Sequence, residues 1–279
     1  MTNQEKKQLA IAACQIRMGI IESTHGAKAG HPGGSLSSAE MFAYLYNKEL
    51  RIDPKQPKKA DRDRFVLSKG HTAPGLYSAL AYRGFFPVSD LPTLRHADSY
   101  LQGHPNMNLV PGVDMSTGSL GQGVSCAAGM AKGAKYLGQD INVYTLLGDG
   151  EIEEGSLGSL HVRRAFKLDN LCVIIDLNGL QIDGPTEKVM NSAPVDAKME
   201  AFGFNVITID GHDYDQIEGA FNAFRACTGK PTAILMHTTK GKGVKYMENN
   251  VDWHGKAPND AEYEVAMNEL RAAMAELEA

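Results

Sequence analysis

Short runs of apolar residues, separated by segments with helical spacing, constrain the fold of this chain most. The runs at 141–147 and 171–177 are almost entirely apolar, and 205–209, 232–237 and a short candidate at 64–67 are similar. Strands that are buried on both faces are typical of parallel sheets, and helices between them provide right-handed crossovers. The predicted fold class is therefore α/β, a doubly wound and mostly parallel sheet with helices on both faces.

Helical spacing and glycine-rich loops fill the rest of the sequence. A polar stretch at 100–118 shows no clear period and contains two prolines, so we expect a long loop there, and loops of this length are often functional. After the apolar run at 171–177, the sequence predicts a loop to about residue 194. The predicted helices cover 5–23, 37–50, a segment that ends near Gly84, 121–137, a segment after Gly155, 214–226 and 260–278.

Composition excludes several classes of function. The 279 residues carry a net charge of -5 with a pI of about 6.0, which argues against a non-specific nucleic-acid binder. No segment reads as a membrane span or a cleavable signal, so a cytoplasmic location is the default expectation. The four cysteines form no C-x-x-C pair, and we expect reduced core residues.

Oxygen-bearing side chains follow two of the predicted strands directly. Asp149 lies between two glycines after 141–147, and Asn178 follows 171–177. Ligands of such sheets bind beyond the carboxyl ends of the strands, and carboxylate or carboxamide oxygens suit magnesium or calcium. Glycines let a diphosphate approach the backbone, and helix-start N–H groups attract anions. Each motif alone is an ordinary turn, but together they predict a metal-bridged diphosphate site.

Four histidines, His31, His71, His104 and His254, lie in loops that contain glycine or proline. No zinc-type spacing connects them, so proton transfer or hydroxyl recognition is favoured over metal ligation. The remaining histidines lack this context and are expected to be structural: His25, His96, His161, His212 and His237. A lysine cluster at 240–245, interleaved with glycines, suits either a solvated loop or a functional one.

Five motifs follow one another along the sequence: Gly30-His31-Pro32-Gly33, Ser68-Lys69-Gly70-His71, Gly103-His104-Pro105, Thr117-Gly118-Ser119-Leu120-Gly121-Gln122-Gly123, and Gly148-Asp149-Gly150 with Asn178. Their order is the one seen in transketolases, and the sequence from about 9 to 259 resembles the amino-terminal, diphosphate-binding domain of these enzymes. The resemblance implies thiamine diphosphate held through magnesium, with calcium or manganese as alternatives, in a domain at 1–259 followed by a helical tail at 260–279.

The resemblance also implies a role for each matching position. The metal ligands are Asp149, the side chain of Asn178 and the backbone carbonyl of Leu180, and Gly150 meets the diphosphate. The remaining positions are His71 and His254 beside the diphosphate and reaction centre, His31 and His104 at the sugar hydroxyls, Gly118 and Leu120 beside the aminopyrimidine, and Glu154 linking two cofactor sites across a dimer.

In transketolases a glutamate that starts ylid formation comes from a second, pyrimidine-binding domain. This sequence ends at Ala279 without a second α/β set, so it resembles one half of a split transketolase. We expect a partner subunit that carries the pyrimidine-binding domain, an α2β2 assembly, and sugar phosphate substrates with a ketose phosphate as default donor. The chain alone should lack ketol transfer.

One segment, 156–166, departs from the family pattern. It reads Ser-Leu-Gly-Ser-Leu-His-Val-Arg-Arg-Ala-Phe where relatives have an alanine-rich amphipathic helix, and it is one residue short. Two explanations remain open: a diverged helix, or a pair of compensating frameshifts in the gene or its sequencing. Resequencing this region distinguishes them.

Other functions are compatible with parts of the pattern. Alpha subunits of 2-oxo acid dehydrogenases share Gly-Asp-Gly and a later asparagine, and deoxyxylulose phosphate synthase shares further parts. A non-catalytic binding subunit is the alternative from a different class. The Ser-Lys-Gly-His and Gly-His-Pro-Gly motifs favour transketolase.

Overall fold

The computed structural model describes residues 1–155 and 166–279 and has a five-stranded parallel sheet at its centre, as the apolar runs predicted. The strands are β1 (Arg64–Leu67), β2 (Val143–Gly148), β3 (Leu171–Leu177), β4 (Leu180–Gln181), β5 (Gly184–Pro185), β6 (Asn205–Asp210) and β7 (Thr232–His237). The strand order in the sheet is β1-β2-β3-β7-β6, and a separate two-stranded hairpin pairs β4 with β5.

Parallel pairing brings the carboxyl ends of the strands to one edge. Leu67 pairs with Leu146, Gly148 with Asp176, and Leu177 with His237. The residues that follow the strands, including Asp149 and Asn178, therefore lie at this common edge.

Helices cover both faces of the sheet. The α-helices are α1 (Asn3–Ala27), α2 (Pro32–Leu36), α3 (Ala39–Tyr44), α4 (Ala73–Arg83), α5 (Gln122–Tyr136), α6 (Thr186–Val189), α7 (Val195–Ala201), α8 (Tyr214–Ala226) and α9 (Asp260–Glu278). The predicted helix at 37–50 begins with α3 and continues as a π-helical turn, Leu45–Glu49. Short 3-10 turns precede α4 at Gly70–Thr72 and follow β2 at Gly150–Glu153.

Two apolar cores lie on opposite faces of the sheet because successive side chains of a strand alternate between faces. Cys172 and Ile174 of β3 belong to the larger core, under α1, α3, α4 and α8, whereas Val173 and Ile175 belong to the smaller one, under α5. The tail helix α9 buries Met267 and Leu270 in the larger core, where the Cys14 thiol contacts the Leu270 carbonyl at 3.3 Å. Burial on both faces explains why the strand sequences are apolar throughout.

Some local expectations were wrong. The segment after β3 was expected to be a loop to about 194, but it contains the β4–β5 hairpin and α6, and α7 was not predicted. All four cysteines are free, but only Cys14 and Cys172 are buried; Cys126 and Cys227 are partly exposed because they lie on or beside surface helices. In the described ranges, no helix is both long and apolar enough to cross a membrane.

The departure from the family pattern at 156–166 falls almost entirely at 156–165, outside the described residues. The hypotheses of a diverged helix and of a frameshift therefore both stay open. Its last residue, Phe166, is described, and the Lys132 ammonium lies 3.7 Å from the centre of its ring.

Candidate cofactor site

The carboxyl ends of the strands surround a cavity of about 280 Å³. Glu151, Lys69 and Lys240, to which the sequence analysis gave no role, also line it. Nine of the eleven predicted site residues line this cavity: His31, His71, Gly118, Leu120, Asp149, Gly150, Asn178, Leu180 and His254.

Asp149 is held at the cavity by backbone N–H groups. Gly150 donates to Oδ1 at 2.8 Å and Gly179 donates to Oδ2 at 2.6 Å. The side chain is buried, and burial, followed by the negative charge of Asp176, raises its pKa to about 6. In the described parts of the chain, no cationic side chain lies within ion-pair distance of this carboxylate. The carboxylate is thus an oriented oxygen donor whose charge lacks a direct counter-ion.

Asn178 is oriented by Asp176, a residue to which sequence reasoning assigned no role. The Asn178 amide nitrogen donates to Asp176 Oδ2 at 3.0 Å, and its amide oxygen accepts from the Leu180 backbone at 3.2 Å. The hydrogen bond to Asp176 fixes the orientation of the Asn178 amide, and with it the position of the amide oxygen. Outer-shell partners orient metal ligands in the same way.

Asp176 is the centre of a buried set of polar side chains, here called the Asp176 network: Ser37, Ser38, Lys69, Asp176 and Thr238. The Lys69 ammonium and the Ser37 hydroxyl each donate to Asp176 Oδ2 at 2.7 Å, and Thr238 donates to Oδ1. Lys69 also donates to the Gly34 carbonyl at 2.9 Å and to Ser38 at 2.7 Å. Burial acts against ionisation, but the Lys69 charge lowers the pKa of Asp176.

A signal for this network is visible in the sequence. Asp176 interrupts the apolar run Leu171–Leu177, and a carboxylate in a strand that is buried on both faces requires a partner. Its partner Lys69 is 107 positions away in the sequence, so only the order of the strands reveals the pair.

Three of the predicted histidines pack together and form the histidine cluster: His31, His71 and His254. The His71 and His254 rings stack with centroids 5.3 Å apart, and His31 lies edge-on to both, at 5.1 Å from His71 and 5.6 Å from His254. Nδ1 of His31 is buried and has no hydrogen-bond partner in the ranges that the structure describes.

The histidine cluster is neutral near pH 7. Burial lowers the pKa of His31 to about 4, with further contributions from the charges of Arg95, His104 and Lys240. Burial and then Lys240 lower the pKa of His254 to about 3, and burial holds the pKa of His71 well below its usual range. Neutral imidazoles can both donate and accept hydrogen bonds, which suits contacts with hydroxyl and carbonyl groups.

Lys240 shows that the lysine-glycine segment is not simply a solvated loop. Its ammonium is buried, donating to the Leu180 carbonyl at 2.7 Å and contacting His254 Nδ1 at 2.8 Å. Burial lowers the pKa of Lys240 to about 8, although the nearby carboxylates of Asp149 and Asp176 act in the opposite direction. A buried cation next to Leu180 and His254 adds positive charge where an anionic ligand would lie.

The other two predicted residues lie outside the cavity lining. His104 is exposed at the rim, where a Cβ added to Gly118 would lie 3.2 Å from its ring. Partial desolvation, followed by the positive charge of Arg95, lowers the pKa of His104. Glu154 is exposed beyond the 3-10 turn that follows Asp149. Its expected role concerns a second cofactor site in a dimer, so it stays a prediction.

The donor set fits a hard cation that completes its shell with other oxygens. It comprises one carboxylate, one carboxamide and one carbonyl, and the described residues contain no group of three or more His, Cys, Asp or Glu that could hold a metal. Magnesium keeps water ligands and often takes phosphate oxygens, whereas zinc sites are built from histidine and cysteine. The site is thus suited to a cation that arrives with a diphosphate.

The sequence matches the family described as "Transketolase, thiamine diphosphate binding domain" over residues 7–274. The chain belongs to this family. Relatives include one of the subunits of the apulose-4-phosphate transketolase of Phocaeicola vulgatus, 41% identical over 94% of this chain and 93% of the relative. A 6-deoxy-6-sulfo-D-fructose transketolase subunit of Clostridium sp. is 39% identical over 96% of this chain and 98% of the relative.

Single-chain transketolases match as well, but over less of their length. Homo sapiens transketolase is 40% identical over 91% of this chain, which corresponds to 41% of that protein. Among solved structures, transketolase from Leishmania mexicana has a TM-score of 0.86 at 30% identity. The match covers all of this chain and 46% of the Leishmania chain. Transketolase from Campylobacter jejuni has a TM-score of 0.87 at 30% identity, with 99% and 46% of the two chains covered. These matches confirm the predicted family and the α/β fold.

Proposed function

We propose that this chain is the amino-terminal subunit of a two-subunit transketolase, which transfers a two-carbon ketol unit from a ketose phosphate to an aldose phosphate. The observation that carries the proposal is the convergence of Asp149, Asn178 and the neutral histidine cluster on one cavity. Two relatives of nearly the same length are transketolase subunits, which supports the split arrangement.

The diphosphate end of thiamine diphosphate would be held at the carboxyl end of β2. Asp149, the Asn178 amide and the Leu180 carbonyl would bind magnesium, with calcium or manganese as substitutes, and Gly150 would offer its backbone to the diphosphate. The buried ammonium of Lys240 supports anion binding at the same place. When bound, the cofactor supplies a carbanion that attacks a ketose carbonyl and an electron sink for the cleavage.

The histidine cluster would bind and orient the sugar substrate beside the cofactor. His31, with His104 at the rim, would bind sugar hydroxyls, and His254 and His71 would lie beside the diphosphate and the reacting carbonyl. Their lowered pKa values keep the imidazoles neutral at pH 7, so each ring can accept one hydrogen bond and donate another. Gly118 and Leu120 would contact the aminopyrimidine through their backbones.

The partner would be a subunit with the pyrimidine-binding domain and the glutamate that activates the aminopyrimidine. The proposal includes an α2β2 assembly in which Glu154 links two cofactor sites, a domain at 1–259 followed by the tail, and a cytoplasmic location. The exposure of Glu154 in the single chain supports a role at an interface.

The decisive experiment measures ketol transfer with this chain, with its partner subunit, and with both, in the presence of thiamine diphosphate and magnesium. We expect activity only for the mixture. Robust activity of this chain alone would overturn the split arrangement. Cofactor binding by the mixture without ketol transfer from any ketose phosphate would favour a non-catalytic binding subunit.

A further inference from the structure

Glu151 is a buried carboxylate that has no assigned role in the proposed site. Only 2% of the residue is exposed, and burial raises its pKa. In residues 1–155 and 166–279, no lysine, arginine or histidine lies within ion-pair distance of it. A carboxylate buried without a cation is costly unless hydrogen bonds compensate, so its partners are informative.

Within the described residues, Glu151 has three hydrogen-bond donors, and they come from three different segments. The Ser68 hydroxyl and the Gly121 N–H donate to Oε1 at 2.5 and 2.8 Å, and the Gly148 N–H donates to Oε2 at 3.1 Å. Ser68 begins the loop that carries His71, and Gly148 immediately precedes Asp149. One side chain thus joins three loops at the edge of the sheet.

The segment that contains Gly121 is the one predicted to contact the aminopyrimidine. Gly121 directly follows Gly118–Leu120 and has a φ of +78°, a left-handed conformation in which a side chain would be strained. The Gly121 N–H is the group that donates to Glu151, so the carboxylate holds the end of this loop where the backbone turns into α5.

Close packing makes this attachment sensitive to small shifts. The Ser68 hydroxyl that donates to Glu151 also accepts from the Val124 N–H at 3.1 Å. A Cβ on Gly123 would lie 2.7 Å from Ser68 Cα, and one on Gly70 would lie 2.9 Å from the Gly118 nitrogen. The Gly118–Leu120 loop therefore has little room to move. Glu151 connects this loop to the turn that carries Asp149, and removal of Glu151 would break that polar connection.

We infer that Glu151 is a positioning residue that fixes the Gly118–Leu120 backbone relative to the metal-diphosphate site. The inference rests on the proposed function and deepens it. Glu151 lines the cavity, but both of its carboxylate oxygens accept hydrogen bonds from protein groups, so its role is to set the spacing between the loop for the aminopyrimidine and the turn for the diphosphate. Loss of Glu151 should therefore weaken binding of a ligand that contacts both the aminopyrimidine loop and the diphosphate turn. Binding of a ligand that contacts only the diphosphate turn should be nearly unchanged.

Two probes separate these cases: thiamine diphosphate, which has both ends, and inorganic pyrophosphate, which has only the diphosphate, each with magnesium. Calorimetry on this chain mixed with its partner subunit should show thiamine diphosphate binding weakened about 10- to 100-fold in Glu151→Ala, the range for residues that orient a ligand shell. Pyrophosphate binding should change less than about twofold. Glu151→Gln keeps one acceptor oxygen and should lose less affinity than the alanine variant.

The matched control is Glu153→Gln in the same turn, because among the described residues the Glu153 carboxylate accepts from Gln181 alone, at 3.2 and 3.3 Å. Circular dichroism at the assay temperature verifies that each variant is folded. Equal weakening of both probes, no change for either, or the same effect in the control would overturn the inference. If the wild-type chain mixed with its partner subunit binds neither probe, the proposed function fails first, and the inference with it.

Discussion

Two groups of polar side chains share the carboxyl edge of the sheet but differ in how completely their hydrogen bonds are satisfied. In the Asp176 network, Lys69 has three acceptors and Asp176 accepts from several donors, all within the chain. In the cavity, the Asp149 carboxylate lacks a close cation and His31 Nδ1 lacks a partner among the described residues. The first group is complete without a ligand, whereas the second has binding capacity left for one.

Charged residues at this edge therefore have two different roles: those of the Asp176 network stabilise the fold, and those of the cavity are available to a ligand. Removal of a member of the Asp176 network should reduce the stability of the chain itself. Removal of a cavity residue should chiefly change ligand binding or the response to pH. The predictions below test this division, from the largest expected effect to the smallest.

The largest effect is expected for Lys69→Met, which leaves the Asp176 charge buried without its cation. Removing one partner of a buried ion pair typically costs about 3–5 kcal/mol. Urea unfolding at pH 7 measures this loss. Lys59→Met is the control because its ion pair with Asp61 is exposed and screened by solvent, so its loss should change stability little. Equal losses in the two variants would show that the network does not stabilise the fold.

The histidine cluster should make stability depend on pH. His31 has its pKa lowered from 6.5 to about 4, so the unfolded chain takes up a proton first as the pH falls. This contribution to stability is complete above about pH 6.5 and is lost as the pH falls towards 4, by on the order of 3 kcal/mol. His31→Gln should flatten the unfolding free energy over this range, and His96→Gln, at an exposed site, should not. An unchanged slope in His31→Gln would contradict the buried, neutral ring.

A smaller effect is expected for Thr238→Val, which removes one hydrogen bond to Asp176 but leaves the Lys69 pair. A hydrogen bond to a charged group contributes about 1.5–3 kcal/mol, and the remaining donors should keep the loss near the lower figure. Thr186→Val is the control, since its hydroxyl makes only a 3.4 Å contact at an exposed site. Thermal unfolding compares the pair, and a loss in Thr238→Val as large as that in Lys69→Met would mean that the network fails as a unit.

The sequence alone predicted the architecture well because the pattern that it relied on is local. The apolar runs located all five strands of the sheet, and Asp149 and Asn178 could be placed at one edge because each directly follows a strand. Loop histidines were placed together through the family resemblance, and the geometry of His31, His71 and His254 agrees with that grouping.

What could not be predicted depends on contacts between distant parts of the chain. Lys69 and Asp176 meet only because β3 lies near α2 and the loop after β1. Lys240 lies in a lysine-glycine segment that resembles a solvated loop, and its burial follows from the way this segment folds over the Leu180 carbonyl. Glu151 was hidden because its partners are a serine hydroxyl and two backbone N–H groups, which have no sequence signature.

The most direct test of the division between the two groups is the stabilisation of the chain by magnesium with thiamine diphosphate, in wild type and Asp149→Asn. At one hundred times the dissociation constant, a ligand raises the unfolding free energy by about 2.7 kcal/mol. Wild type should show this increase only when magnesium is present. The variant should lose the increase while its ligand-free stability stays within about 1 kcal/mol of wild type. An equal increase in both proteins, or one that is independent of magnesium, would contradict a metal-diphosphate site at Asp149.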